Sequence, residues 1–234
     1  MIELKNVTKR YDSLTAVDDV SFSVKAGECF ALLGPNGAGK TTIVKMLLDF
    51  TRPTSGSLSL SGIPSTDAEC RASIGYLAEN HRIPAGLSGR QYLLRCAELL
   101  DMSRPDAVEQ CRRIVELVGM QGREEAKAGT YSKGMVQRFG LGAALMGDPK
   151  LLILDEPTAG LDPIGIRELR QLLESLKGQG MTIFLNSHLL SEVEKICDTA
   201  AIINRGRLLV KDAIYAIAKD GETLEDVFVR LVRG

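Results

Sequence analysis

The chain has 234 residues, of which 44% are hydrophobic and 25% are charged. This composition excludes a disordered chain, a collagen and a disulfide knot, and the length suits one large domain or two small ones. Lys and Arg number 29 and Asp and Glu 30, which gives a net charge of −1. A near-neutral chain is not built to coat nucleic acid, although a local basic patch is compatible with this balance.

Cysteines and apolar runs bound the cellular setting. The five cysteines are odd in number and form no C-x-x-C pair, so we interpret them as small buried thiols in a reducing compartment rather than as a metal or redox site. No apolar run approaches the roughly 18 residues of a membrane span, and the first residues lack the apolar core of a signal peptide. We therefore predict a soluble, cytoplasmic chain that reaches a membrane only through another chain.

Two kinds of strand pattern occur. Residues 2–7 and 20–24 alternate between apolar and polar, which predicts half-buried strands at the start of a sheet. Later apolar runs are short and continuous, at 30–33, 151–154, 183–185 and 200–203. Runs that are apolar on both faces are typical of a parallel sheet covered by helices. The Ser- and Gly-rich stretch 53–64 predicts a small β excursion.

Helical patterns separate these strands. Asp162-Pro163 supplies an N-cap and a first-turn proline, apolar residues then recur at helical spacing, and Gly178 marks the end. From about Leu87 to Met146 the patterns are helical, with capping signals at Ser88 and Ser103. A terminal helix is predicted at 224–231. The order predicts an α/β fold with a parallel sheet and a helical insertion.

The run after the first buried strand matches the phosphate-loop pattern G-x-x-x-x-G-K-[ST]. It reads Gly34, Pro35, Asn36, Gly37, Ala38, Gly39, Lys40 and Thr41, followed by Thr42. Glycines allow backbone N–H groups to face phosphate oxygens, and the helix that follows presents its positive end there. Lys40 can reach the β- and γ-phosphates and Thr41 can bind Mg²⁺. The alternative is a plain glycine-rich turn with an exposed lysine.

A second buried strand ends in two carboxylates, Asp155 and Glu156. Ligands bind at the carboxyl ends of strands in open α/β sheets, so Asp155 is placed to hold Mg²⁺ directly or through water. Glu156 is then placed to orient or deprotonate a water beside the γ-phosphate. An Asp-Glu pair in an exposed turn is the ordinary alternative.

With these motifs in order, the sequence resembles the ATP-binding-cassette (ABC) ATPases over nearly its whole length. The stretch 154–163, LDEPTAGLDP, looks like the family's Walker B strand and D-loop. Asn186-Ser187-His188 looks like the switch histidine, and 130–138, TYSKGMVQR, is similar to the family signature. Tyr11 stands where the family places an aromatic residue against adenine, although a packed surface ring is the alternative.

The resemblance implies a head-to-tail dimer that encloses two ATP molecules. Signature residues Ser132, Lys133, Gly134 and Met135 would then face the γ-phosphate held by the other subunit, with hydrogen bonds donated by the Ser132 hydroxyl and the Gly134 backbone. His188 would contact the γ-phosphate and keep Glu156 and the water in line. ATP and Mg²⁺ are the implied cofactors.

Two positions depart from the family pattern. The signature usually begins Leu-Ser-Gly-Gly-Gln, whereas this chain has Tyr131-Ser132-Lys133-Gly134-Met135. Glu79 replaces the Q-loop glutamine, so it still offers an oxygen to Mg²⁺ or water but adds negative charge; a solvated loop carboxylate is its alternative role. Both departures look like the subset of ABC ATPases that serves ABC-2-type exporters.

The resemblance also predicts organisation and partners. We expect a single ABC ATPase domain over 1–234 with a P-loop NTPase core. Residues 1–86 and 147–234 would form this α/β core together with an N-terminal antiparallel β subdomain, and about 87–146 would form the helical signature subdomain. The expected partners are an ABC-2-type membrane permease and a second ATPase subunit, identical or different, with no nucleic acid. The chain would then lie on the inner face of the cell membrane through its permease.

Two other classes remain to be weighed. A soluble ABC ATPase acting on ribosomes or DNA usually carries two cassettes or a long coiled-coil insertion, and neither is present here. A P-loop kinase or GTPase is disfavoured because no Asn-Lys-x-Asp guanine reader occurs and the signature segment would have no role.

Overall fold

A computed structural model describes residues 1–219 and 221–233. The chain divides into two compact units. The first unit comprises Met1–Ala72 and Lys177–Gly234, and the second comprises Ser73–Leu176. The predicted helical stretch 87–146 lies inside the second unit, and the subdomain boundaries at 86 and 147 stay a prediction.

The strands are, in chain order, β1 (Ile2–Tyr11), β2 (Leu14–Val24), β3 (Cys29–Leu33), β4 (Ser55–Leu60), β5 (Ile63–Pro64), β6 (Ile74–Leu77), β7 (Leu151–Asp155), β8 (Thr182–Asn186), β9 (Thr199–Asn204) and β10 (Arg207–Ala213). The helices are α1 (Lys40–Leu47), α2 (Gly89–Leu99), α3 (Arg104–Leu117), α4 (Lys133–Ala144), α5 (Pro163–Gly178), α6 (Leu190–Ile196), α7 (Ile214–Ile217) and α8 (Leu224–Arg233). Short 3-10 turns occupy Ala68–Arg71 and Ala128–Thr130.

The first unit contains two sets of strands. An antiparallel sheet has the order β2-β1-β4-β5, and its alternating residues bury one face. The other set has the order β10-β9-β3-β8, with β3 parallel to both β8 and β9 and with β10 antiparallel at the edge. Every residue of β3 and β8 is buried, as expected for strands apolar on both faces.

The second unit combines the parallel pair β6–β7 with four helices. Ser88 caps α2 through a reciprocal capping box with Gln91, and the Ser103 hydroxyl caps α3 by accepting from the Asp106 N–H. Helix α5 begins at Pro163 and ends at Gly178, as the sequence predicts. Within the described residues, no helix combines the length and apolar character needed to cross a membrane.

The predicted fold class is confirmed: the structure has buried parallel strands, an N-terminal antiparallel sheet and a helical region between residues 87 and 146. Sequence patterns missed two strands, β6 and β10. Strand β6 has only four residues and includes Gly75, and edge strand β10 is largely half-exposed, so neither shows a clean apolar period. The five cysteines are free, and four of them are buried.

Candidate functional site

The phosphate-loop residues form a compact turn between β3 and α1. Lys40 is the first residue of α1 and is buried, and its Nζ donates to the carbonyl oxygens of Gly34 at 2.7 Å and Pro35 at 3.3 Å. The loop therefore curls around its own lysine and holds the ammonium group at its centre. Thr41, in the first turn of α1, is exposed, and Thr42 is half-buried.

Backbone approach fixes the shape of this loop. Gly39 has φ 107°, and a Cβ added there would overlap the carbonyl oxygen of Ala16 on β2. The Ala38 carbonyl accepts from the Gly206 N–H at 3.0 Å, and the Gly206 carbonyl accepts from the Asp18 N–H at 2.8 Å. The turn at Gly206 thus bridges the loop to β2 through the backbone.

Tyr11 ends β1, opposite Leu14 at the start of β2, and the residue is 41% exposed. Lys9 Nζ lies 4.8 Å from the ring centroid, a cation–π distance. Because β2 also carries Ala16, the hairpin that presents Tyr11 is the one that packs against the phosphate loop.

The strand register places His188 at the same sheet edge as the loop. Leu32 of β3 pairs with Asn186 of the parallel strand β8, so Gly34 and His188 each lie two residues beyond a paired position. The Leu189 N–H donates to Ser187 Oγ at 3.2 Å, which shapes the turn that presents the exposed imidazole.

In the second unit, the same register logic brings three carboxylates to one edge. Leu77 of β6 pairs with Leu154 of the parallel strand β7. Glu79 and Glu156 each lie two residues beyond this pair, and Asp155 is the buried last residue of β7. Sequence-predicted residues Glu79, Asp155 and Glu156 therefore follow neighbouring strand ends.

The Tyr76 phenol lies close enough to two of these carboxylates for their charge to affect its pKa. Burial raises the pKa of the Tyr76 phenol, and the charges of Asp155 and then Glu79 raise it further. Across the described part of the chain, no three His, Cys, Asp or Glu side chains converge as a ligand set. One or two carboxylates at an acidic edge fit Mg²⁺, which takes most of its remaining ligands from water and phosphates.

The signature residues form the exposed start of α4. Ser132 is the N-cap, and its hydroxyl oxygen accepts from the Met135 N–H at 3.2 Å. The hydroxyl proton remains available to a ligand, beside the positive end of a 12-residue helix. Lys133 is exposed, and Gly134 and Met135 are half-buried.

This helix start also packs against the segment after Glu156. A Cβ added at Gly160 would overlap the side chain of Lys133, and one added at Gly134 would lie 3.4 Å from Leu161 Cδ2. The signature and the D-loop of one chain are therefore in contact within the second unit. The binding and catalytic roles assigned from sequence to the site residues remain predictions.

Sequence reasoning missed two residues that support this region. Gln137 on α4 is buried, and its Nε2 donates to the Pro157 carbonyl at 3.0 Å. The Tyr131 hydroxyl accepts from the Gly89 N–H at 2.9 Å and donates to the Ala126 carbonyl at 2.8 Å, while its ring stacks on Phe139. No linear motif could reveal these contacts, because they join segments 5 to 42 residues apart.

The phosphate loop follows one buried strand, and the acidic pair ends another. This arrangement is typical of the P-loop NTPase class of fold. The sequence model of the ABC transporter family matches residues 17–159. The chain belongs to the ABC transporter family, and its activity is that of the family's ATP-binding, ATP-hydrolysing subunits.

Two named relatives and a solved structure agree with this family assignment. The chain is 42% identical over 212 residues to the bacitracin transport ATP-binding protein BcrA of Bacillus licheniformis, covering 89% of this chain and 68% of BcrA. It is 38% identical over 218 residues to the Nod factor export ATP-binding protein I of Burkholderia orbicola, covering 92% and 72%. A solved ATP-binding subunit of an ABC transporter superposes with TM-score 0.90 at 29% identity, covering 99% of each chain.

The relatives are longer than the matched region. A relative from a Nostoc strain is matched over 58% of its length, at 44% identity and 83% coverage of this chain. The chain therefore spans between 58% and 72% of the length of these three relatives.

Proposed function

We propose that this chain powers export through a separate ABC-2-type membrane permease by closing, as a pair, on two Mg·ATP molecules. The observation that carries the proposal is the build of α4, which presents the Ser132 hydroxyl and the start of the helix at an exposed surface. A relative named for Nod factor export supports the direction, and one named for bacitracin transport supports a role in transport.

In this proposal the loop residues 34–42 bind the phosphates of ATP. Backbone N–H groups receive the phosphate oxygens, and Lys40 exchanges its contacts with the Gly34 and Pro35 carbonyls for contacts with the β- and γ-phosphates. The exposed ring of Tyr11 stacks on the adenine. The positive helix end at α1 favours the negative charge.

Mg²⁺ would be held by the Thr41 hydroxyl and the Asp155 carboxylate, with Glu79 supplying an oxygen directly or through water. When bound, the ion neutralises charge on the phosphates. Glu156 accepts a proton from the attacking water, and His188 keeps the water and the γ-phosphate aligned. Phosphoryl transfer asks mainly for positioning and charge neutralisation, which these residues provide.

The partner subunit's signature completes each site. The Ser132 hydroxyl and the Gly134 N–H donate to the γ-phosphate held by the other chain, so neither chain hydrolyses ATP alone. Dimer closure thereby gates hydrolysis and delivers work to the permease, which selects the cargo.

Replacing Ser132 with Arg tests the shared site. The bulky cation would block the signature surface of α4, so ATPase activity should be abolished while ATP affinity, measured by calorimetry, stays near the wild-type value.

Glu156→Gln should lower kcat by about 10²-fold or more without loss of ATP binding, as expected for removal of a positioned base.

The two variants combine into one decisive measurement. With ATP, Glu156→Gln should elute as a dimer in size-exclusion chromatography, and the double variant with Ser132→Arg as a monomer that still binds ATP. Full turnover by a strictly monomeric wild-type protein would overturn the proposal. An equal loss of binding and hydrolysis in Ser132→Arg would overturn the shared site.

A further inference from the structure

A buried side chain of the signature helix reaches the residue that follows Glu156. Gln137 is 6% exposed, and its Nε2 donates to the carbonyl oxygen of Pro157 at 3.0 Å. Pro157 is itself buried. The hydrogen bond therefore anchors α4 to the backbone immediately beyond the proposed catalytic base.

Glu156 adopts a backbone conformation that needs support. Its φ is 51°, in the left-handed region that few non-glycine residues occupy. Such a conformation is strained for a residue with a side chain, and it persists where the surroundings over-determine it. The Glu156 carbonyl accepts from the Ala159 N–H at 3.0 Å, and the Gln137 bond fixes the peptide unit in between.

The signature lies at the N-terminal end of the same helix, α4. Gln137 is five residues beyond Ser132, roughly 7–8 Å along the axis at 1.5 Å per residue. Between them, Lys133 lies against Gly160, and Gly134 lies close to Leu161. The first turns of α4 thus run beside the whole 156–161 segment, so a shift of the helix start is transmitted to that segment.

Side-chain packing around Pro157 is incomplete, so the hydrogen bond from Gln137 has a large part in holding the segment 156–161 in place. A cavity of about 220 Å³ opens beside it, and its lining includes Gln137, Pro157 and Leu161 together with residues of α3 and α5. Close-packed interiors transmit displacements well, whereas an open space removes contacts that would otherwise hold the segment. Near Pro157 the hydrogen bond is therefore not duplicated by tight packing on the cavity side.

We infer that Gln137 is a positioning residue that couples the seating of α4 on the partner's nucleotide to the backbone conformation that aims Glu156. The inference rests on the proposed function, because it takes Glu156 as the base and Ser132 as the group that meets the partner's ATP. It adds a link within one chain between the half-site it lends to its partner and the half-site it keeps.

Gln137→Met tests this link, because methionine keeps the length of the side chain and removes the donor. We expect kcat to fall at least about tenfold, since a small misplacement of a reacting group is costly, while the ATP dissociation constant stays unchanged. Gln171→Met, on the exposed face of α5, is the matched control and should keep the wild-type kcat.

A double-mutant cycle separates positioning from general structure. In the Glu156→Gln background, Gln137→Met should lower the residual rate by no more than about twofold, because both changes act through one group. If the methionine variant fails to fold, Gln137→Asn removes the same contact with a shorter polar side chain.

Two outcomes would overturn the inference. One is a kcat for Gln137→Met and Gln137→Asn that equals the wild-type value. The other is a multiplicative loss in the Glu156→Gln background, which would mean that Gln137 acts elsewhere. Failure of the proposed function is distinguishable, because then Glu156→Gln itself would leave turnover intact.

Discussion

The phosphate loop and the signature region are both turns that lead into a helix, but they hold their shapes by different means. The loop before α1 is fixed by backbone: a left-handed Gly39 against Ala16, a carbonyl bond to Gly206 and a lysine curled into its own turn. The signature region is fixed by side chains, those of Gln137 and Tyr131. Backbone-built sites therefore tolerate few substitutions at glycine, whereas side-chain-built sites can be adjusted by exchange of a single residue.

Gly39→Ala should break the first region and have the largest effect. The added Cβ would overlap the Ala16 carbonyl oxygen, and φ 107° is strained for alanine, so the loop must shift. We expect ATP affinity, measured by calorimetry, to fall at least about tenfold, since several phosphate contacts depend on this backbone. Gly62→Ala is the matched control, because Gly62 also has positive φ but faces open space. The control should lose a little stability and no affinity; tight ATP binding by Gly39→Ala would contradict the comparison.

Tyr131→Phe probes the second region and should have a smaller effect. The ring still stacks on Phe139, but the Gly89 N–H and the Ala126 carbonyl lose their hydroxyl partner. We expect the free energy of unfolding to fall by about 1–3 kcal/mol, the cost of a buried polar group left unpaired. Denaturant titration measures it, with ATP affinity as the control readout. A loss of affinity without a loss of stability would show that Tyr131 acts on nucleotide and not on the fold.

Acid sensitivity should give the smallest effect. His81 packs against Gly140 of α4 and beside Tyr92, and burial lowers its pKa below the usual 6.5. The unfolded chain then binds a proton more readily, so this contribution to stability is present above about pH 6.5 and is lost as pH falls through and below that value. Replacing His81 with Phe should flatten the decline of stability from pH 7 to pH 5. If the free energy of unfolding depended on pH in the same way in the variant, His81 would be excluded as a cause of the acid sensitivity.

The phosphate loop was predictable because its chemistry is local. A glycine-rich string after a buried run and before a helical pattern fixes residues 34–42 without knowledge of the rest of the fold. The buried strands β3, β7, β8 and β9 were also predictable, since both faces are apolar. Strand β6 was not, because its identity rests on partners: Gly75 is required where the Ala144 carbonyl approaches too closely for a Cβ.

The support of the signature region could not be read from sequence. The Gln137–Pro157 bond joins residues 20 apart, and the Tyr131–Gly89 bond joins residues 42 apart. The unusual tyrosine appeared in the sequence only as a departure from Leu-Ser-Gly-Gly-Gln. The structure gives it a physical reason, since its hydroxyl ties the start of α2 to the loop before the signature.

The turn at Gly206 has a consequence for which nucleotides the site can bind. It ties the loop at Ala38 to β2 at Asp18 by two backbone bonds, and β2 forms a hairpin with the strand that ends at Tyr11. The hairpin that ends at Tyr11 and the phosphate loop are therefore joined through backbone hydrogen bonds. With Tyr11 on the base as proposed, these bonds set the distance between the stacked base and the phosphate loop. A nucleotide with too short a phosphate chain would then be unable to contact Tyr11 and the loop at the same time.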